Sequence, residues 1–289
     1  MTRVVLRVIY GVVAVALSSY IWNTVDGTPP PLHRTTSTTT TSTSSLPPVT
    51  PTSAYRDGTT ALSEQLAPVS SGDLDGMTVA IDPGHNGGNA AHPEIINRLV
   101  PDGRGMKACD TTGTATDSGF PESTFTFAVA NKLAELLRQR GATVILTRSN
   151  NSSVGPCVNQ RATIGNGADV ALSIHGDGGP VDGRGFTVLT PTGVGPSMVM
   201  TKEAHRLAGI VRNHLENAYF YPSTYLGVQG IQPRSDLAGL NLSTTPKIFV
   251  ECANMKNADD ARDMQDPAWR DRLAGTLADA VAVFLTSRH

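Results

Sequence analysis

Four residues able to bind a metal or carry a proton stand where apolar runs give way to turns: His85, Glu122, His175 and Glu251. His85 closes VAIDPGH and His175 closes ALSIH, each with glycines just after it. Glycine lets the backbone turn sharply and approach a bound group closely. Glu122 follows Pro121 at the head of a long amphipathic run. Two neutral imidazoles and one carboxylate make a catalytic zinc set with a position left for water, and the ion can then polarise a carbonyl. Glu251 ends the apolar run KIFV. A carboxylate there is costly unless it is paired or used. As a base it would take a proton from water and pass it to a leaving nitrogen. Each residue also has a plainer reading. A lone strand-end histidine is commonly a hydrogen-bonded structural group, a carboxylate at a helix start answers the helix dipole, and Glu251 could pair with an arginine such as Arg161. Taken as four pieces in compatible positions, they point to metal-assisted hydrolysis.

The elements around these residues must bring them together. MTVAID (77–82) reads as a strand ending in a Pro-Gly turn. From Glu122 to Arg140 the residues Phe125, Val129, Leu133, Leu136 and Leu137 recur at helical spacing, and Gly141 supplies the stop. ATVILT (142–147), DVALSI (169–174), GFTVLT (185–190) and KIFVEC (247–252) read as further strands. RATIGNGA predicts a short helix, and residues 199–219 and 267–286 predict longer ones. Strands alternating with helices imply one α/β domain, with a mixed, mostly parallel twisted sheet flanked by helices on both faces. In such a sheet the carboxyl ends of strands and the amino ends of following helices share one edge, where ligands bind. Residues far apart in sequence can meet there.

The rest of the 289-residue chain is unlike this domain. Residues 4–22 are apolar with Arg3 and Arg7 on the amino side, the form of a signal peptide. An uncleaved anchor is the rival reading. Ala14-Val15-Ala16 falls inside the apolar run, so no convincing cleavage site is visible. The stretch after Arg7 is about 15 residues, short of the roughly 20 that a span needs. Residues 23–72 are rich in Thr, Ser and Pro and cannot bury enough apolar surface to fold. A flexible tether of that length reaches on the order of 40 Å. Residues 73–289 are left as the folded domain. A net charge of -2 and 5% aromatic residues give no footprint for nucleic acid. The expected protein is exported, to the periplasm or cell wall, with membrane tethering open, and is a monomer.

At the four residues the sequence resembles the zinc-dependent N-acetylmuramoyl-L-alanine amidases of the AmiC type. VAIDPGHNGG is similar to the family's opening motif and carries its first zinc histidine onto His85. PESTFTFAVANKLAELLRQRGATVILTR carries the zinc glutamate onto Glu122, RATIGNGADVALSIHGD the second zinc histidine onto His175, and FVECANMKNADDA the catalytic glutamate onto Glu251. The resemblance covers roughly residues 77–285. It implies a Zn2+ cofactor and hydrolysis of the amide between N-acetylmuramic acid and L-Ala, in peptidoglycan or its muramyl-peptide fragments.

The chain departs from the family pattern at two places. Gly176-Asp177 stands where the family has a small residue and Asn, and Cys252-Ala253 where it has Leu-Gly. The family's regulated members carry a long helix over the site; residues 176–201 are too short and rich in Gly and Pro to form one. Arg161, in the third motif, is expected to orient Glu251 or to contact substrate. Cys109 and Cys157 lie in separate loops of an exported domain and are expected to pair; Cys252 is expected to be a packed residue. His92, His205 and His214 have no ligand partner in the pattern and are expected to be structural or surface groups. Two other readings compete. A zinc carboxypeptidase would normally show H-x-x-E, which is absent around His85 and His175. A wall-binding pseudo-amidase would have lost a ligand or the base, and none is lost.

Overall fold

The computed structural model describes residues 73–287. The export segment expected over residues 1–22 and the linker expected over 23–72 lie outside the described residues. Within them β1 (Thr78–Pro83) is followed by a short α1 (Pro93–Ile96) and a two-stranded hairpin, β2 (Leu99–Pro101) and β3 (Met106–Ala108). Next come α2 (Glu122–Gln139), β4 (Thr143–Leu146), α3 (Val158–Ile164) and β5 (Val170–Asp177). After β6 (Thr187–Pro191) the chain forms α4 (Thr201–Asn217), β7 (Ile231–Arg234), α5 (Ala238–Asn241) and β8 (Lys247–Asn254). It ends in α6 (Ala258–Gln265) and α7 (Pro267–Thr286).

The main sheet runs β4-β1-β5-β8-β6-β7. Every neighbouring pair is parallel except β8 and β6. This is the mixed, mostly parallel sheet that the alternation of strands and helices implies. The hairpin and the short α5, α6 and β7 were not legible in the sequence. Each is too short to show a period, and β7 carries Pro233, which is tolerated because it is an edge strand.

The two faces of the sheet differ in chemistry, and the period of two along each strand is the reason. Val79, Ile81, Val170, Leu172, Ile174, Ile248 and Val250 share one face and are fully buried. They pack in one cluster with Phe125, Val129 and Leu133 of α2, Leu207 and Val211 of α4, and Leu277, Val281 and Phe284 of α7. Each such side chain contributes about 1.5–3 kcal/mol by leaving water. The alternate residues Ala80, Asp82, Ala171, Ser173, His175, Phe249 and Glu251 take the other face. There α3 and α5 cover the sheet: Leu240 packs with Leu189 and Phe249, and Gly165 at the end of α3 meets Ala80 and Ala171. The chemistry-bearing residues therefore lie on the thinly covered, polar side of the sheet.

α7 is buried around more of its circumference than an amphipathic stripe requires, because it packs against both α2 and α4. A disulfide joins Cys109, just past β3, to Cys157 at the start of α3. No helix stands between β5 and β6 among the described residues, and no described helix is long and apolar enough to cross a membrane.

Candidate metal centre

Parallel pairing of β1 with β5 sets Pro83 opposite Ile174, so the residues that follow, His85 and His175, leave the sheet at the same edge. His85 is held in the left-handed region at φ 56°, which non-glycine residues rarely adopt and which clusters at functional sites. Gly84 is needed for space: a Cβ there would stand 2.6 Å from the ring nitrogens of His175. Glu122 arrives from a third direction, as the first residue of α2. Its carboxylate accepts the backbone N–H of Thr114 at 2.9 Å and of Gly176 at 3.2 Å.

Ligand atoms of His85, Glu122 and His175 lie within 4.8 Å of one another. Nε2 of His85 and Nδ1 of His175 approach the Glu122 carboxylate at 3.4 and 3.0 Å, separations that a shared proton or a shared cation satisfies. The opposite ring nitrogens are tied back. Nδ1 of His85 meets Asp110 Oδ1 at 3.1 Å and the Thr111 carbonyl at 3.2 Å, both acceptors only, so that nitrogen must donate. Nε2 of His175 meets Ser173 Oγ at 3.2 Å. The Ser173 hydroxyl donates to Asp82 Oδ2 at 2.8 Å, leaving its oxygen to accept from the ring. The inner nitrogen of each ring, which carries the lone pair when the imidazole is neutral, therefore faces Glu122. Burial alone would lower the His85 pKa, but the Glu122 and Asp110 carboxylates outweigh it and raise it to about 10. Glu122 is held well below the usual carboxylate range: burial pushes it up, and the two imidazoles more than reverse that. Such a cluster attracts positive charge strongly.

Glu251 is the register partner of His175 on the neighbouring strand β8. Burial raises its pKa to about 7; His175 and His85 oppose that rise, while Glu122 and Asp177 add to it. Two cavities meet at this residue. One, of about 280 Å³, is lined by Ala108, Val158, Leu237 and Phe249. The other, of about 360 Å³, is lined by Thr111, Thr114, Asp177 and Gly178. Both reach His85, His175 and Glu251. A bond held across their junction would lie beside His85, His175 and Glu251.

Residues 79–283 match the family described as N-acetylmuramoyl-L-alanine amidase. The chain belongs to this family. The amidase is 41% identical over 225 residues to N-acetylmuramoyl-L-alanine amidase Rv3717 of Mycobacterium tuberculosis, covering 75% of this chain and 89% of that protein. The crystal structure of the N-acetylmuramyl-L-alanine amidase Ami1 from Mycobacterium smegmatis matches it with TM-score 0.71 at 40% identity, covering 76% of this chain and all (100%) of that one. Apo Ami1 from Mycobacterium abscessus matches with TM-score 0.69 at 42% identity, covering 73% of this chain and 100% of that one.

Arg161, expected to orient Glu251 or to contact substrate, lines the first cavity, and its hydrogen bonds go elsewhere than to Glu251. Arg161 Nη1 bonds Asp82 Oδ1 at 2.9 Å and the Pro83 carbonyl at 2.8 Å, and Nη2 bonds the His85 carbonyl at 3.0 Å. Nε bonds the Pro156 carbonyl at 3.0 Å, and the two terminal nitrogens on the β1 side steady the turn that carries His85. Asp110 and Ser173, which hold the outer ring nitrogens, were missed by sequence reasoning. Asp110 follows Cys109 directly, and Ser173 lies two residues from His175 on the same face, which are the signals that could have found them. Lys247 was missed too: it is 1% exposed at the head of an apolar strand. His92 pairs on the surface with Glu94, while His205 and His214 donate to the carbonyls of Pro191 and Ile210.

Proposed function

We propose that the chain hydrolyses the amide between the lactyl group of N-acetylmuramic acid and L-Ala, in peptidoglycan or its muramyl-peptide fragments, with Zn2+ as cofactor, in cell-wall remodelling and turnover. One observation carries the reading. Two imidazoles, each tied back at its outer nitrogen, face one buried carboxylate with Glu251 alongside. Family membership supplies the bond that such a centre would cut.

The donor set suits the metal. Two imidazoles and a carboxylate are borderline-hard ligands of the kind zinc takes in hydrolases, and outer acceptors on both rings are the usual support for such ligands. His85, Glu122 and His175 would hold the ion. Bound there, Zn2+ would supply Lewis acidity, polarising the scissile carbonyl and easing deprotonation of the attacking water. Glu251 takes that proton and delivers it to the leaving nitrogen; a carboxylate titrating near neutrality can do both. Asp110 and Ser173 keep the ring nitrogens in the required protonation, and Arg161 keeps His85 in its turn.

In this reading residues 1–22 act as a signal peptide or anchor, 23–72 as a linker, and 73–289 as the catalytic domain of a monomer. The protein works outside the cytoplasm, in the periplasm or wall, released or tethered. The arginine-flanked apolar run and the Cys109–Cys157 disulfide support this placement. Between residues 176 and 201 the described helical structure is one short turn, Gly195–Val199, ahead of α4, which supports an enzyme not gated by a long helix from that segment. Digestion of purified peptidoglycan with fragment analysis tests the activity. Free stem peptides beginning at L-Ala are expected; trimmed stems with the muramyl linkage intact would overturn it.

A further inference from the structure

Beneath the metal centre the buried polar side chains of the sheet converge on Asp82, which is 4% exposed. Its Oδ1 accepts from Thr147 Oγ1 at 2.7 Å and Arg161 Nη1 at 2.9 Å. Its Oδ2 accepts from Ser173 Oγ at 2.8 Å and Lys247 Nζ at 3.3 Å. Two cations and two hydroxyls around one buried carboxylate are an expensive arrangement, since well-packed apolar residues often serve stability equally well. Its position is therefore what calls for an account.

Two of the four partners lead to the imidazoles. Ser173 gives its proton to Asp82, so its oxygen is free to accept Nε2–H of His175 at 3.2 Å. Arg161 holds Asp82 with one nitrogen and the carbonyl of His85 with another, at 2.9 and 3.0 Å. That contact braces a residue at φ 56°, a conformation that persists only when its surroundings hold it.

We propose that Asp82 is a positioning residue for both metal-binding imidazoles. Through Ser173 it sets His175 as the Nε2–H tautomer, with Nδ1 turned to the metal. Through Arg161 it pins the turn that presents Nε2 of His85. The inference rests on the zinc reading above. Its two arms are unequal: His85 also has Asp110 as a direct acceptor, whereas the outer nitrogen of His175 is held by Ser173. The Ser173 arm is thus the one to cut.

Zinc dissociation constants of the full-length wild type, Ser173→Ala and Ser197→Ala, measured by competition with a chromophoric chelator, test this. Ser197 is also fully buried and donates to the Val194 carbonyl at 2.7 Å, so it controls for loss of a buried hydroxyl. Ser173→Ala is expected to weaken zinc binding about 10- to 100-fold, and Ser197→Ala to leave it unchanged. In zinc-loaded wild type labelled with 15N-histidine, long-range proton–nitrogen correlation is expected to show His175 protonated at Nε2 and His85 at Nδ1. That spectrum fixes which nitrogen of each ring the metal takes. Asp82→Asn, measured beside Ser173→Ala and in its place where that variant does not fold, is expected to weaken zinc binding, and unchanged affinity would overturn the role of Asp82. Unchanged zinc affinity in Ser173→Ala, or His175 protonated at Nδ1, would overturn the positioning role alone. Wild type that takes up no zinc would overturn the metal reading and this proposal together.

Discussion

Glu251 and Asp177 stand on neighbouring strands, and the charge of the second bears on the pH at which the first can act as a base. Burial raises Glu251 to about 7, and Asp177 is among the carboxylates that push it the same way. A base must be ionised, so kcat/KM falls as pH drops through this pKa; a bound dication moves that limb below 7. Asp177→Asn removes a negative neighbour and favours ionised Glu251. Its pH–rate profile is expected to show the acid limb at lower pH than in the wild type, and an unmoved limb would assign it to another group. The proposed roles of base and ligand separate by a second measurement. Glu251→Ala is expected to keep zinc in metal analysis but lose at least about 100-fold in peptide release. His85→Ala is expected to lose the metal itself.

At the scale of elements, the sheet divides its labour by face. Apolar residues meet α2, α4 and α7 on one side, and the other carries Asp82, Ser173, His175 and Glu251 towards the open edge. Lys247 belongs to that polar side, paired with Asp82 at 3.3 Å with both side chains buried. Lys247→Met leaves part of the Asp82 charge uncompensated. It is expected to cost roughly 3 kcal/mol, the scale of a broken buried pair, measured by urea unfolding. The strand ends also depend on one small residue. Because a Cβ at Gly84 would collide with the His175 ring, Gly84→Ala is expected to displace that imidazole and weaken zinc binding, read by chelator competition. Strands β1, β4, β5, β6 and β8 were legible in advance as short apolar runs, β1 with a Pro-Gly turn behind it, and helix α2 by apolar residues at helical spacing. The β2–β3 hairpin was not, since its short strands are set by tertiary contacts such as Lys107 Nζ to the Asp236 carbonyl.

Across the whole molecule, the Cys109–Cys157 link ties the segment carrying Asp110 to the helix carrying Arg161, across a sequence separation of 48. Reduction is expected to cost about 2–4 kcal/mol of stability, seen as a lower melting temperature with reductant than without. An unchanged melting temperature would mean that the surrounding packing holds these segments unaided.

Residue types and local periodicity, read without a structure, were enough for an α/β sheet, for a ligand edge, and for His85, Glu122, His175 and Glu251 as the residues worth placing there. Those properties follow from chain-local rules: side-chain chemistry, the period of a strand or helix, and the turn chemistry of Gly and Pro. What only the tertiary structure decided is which groups surround the site. Arg161 reaches Asp82 and the His85 carbonyl instead of Glu251, and Asp110 and Ser173 supply the outer partners of the two rings. Such pairings depend on distances and directions between elements remote in sequence, and strand register sets these while composition does not.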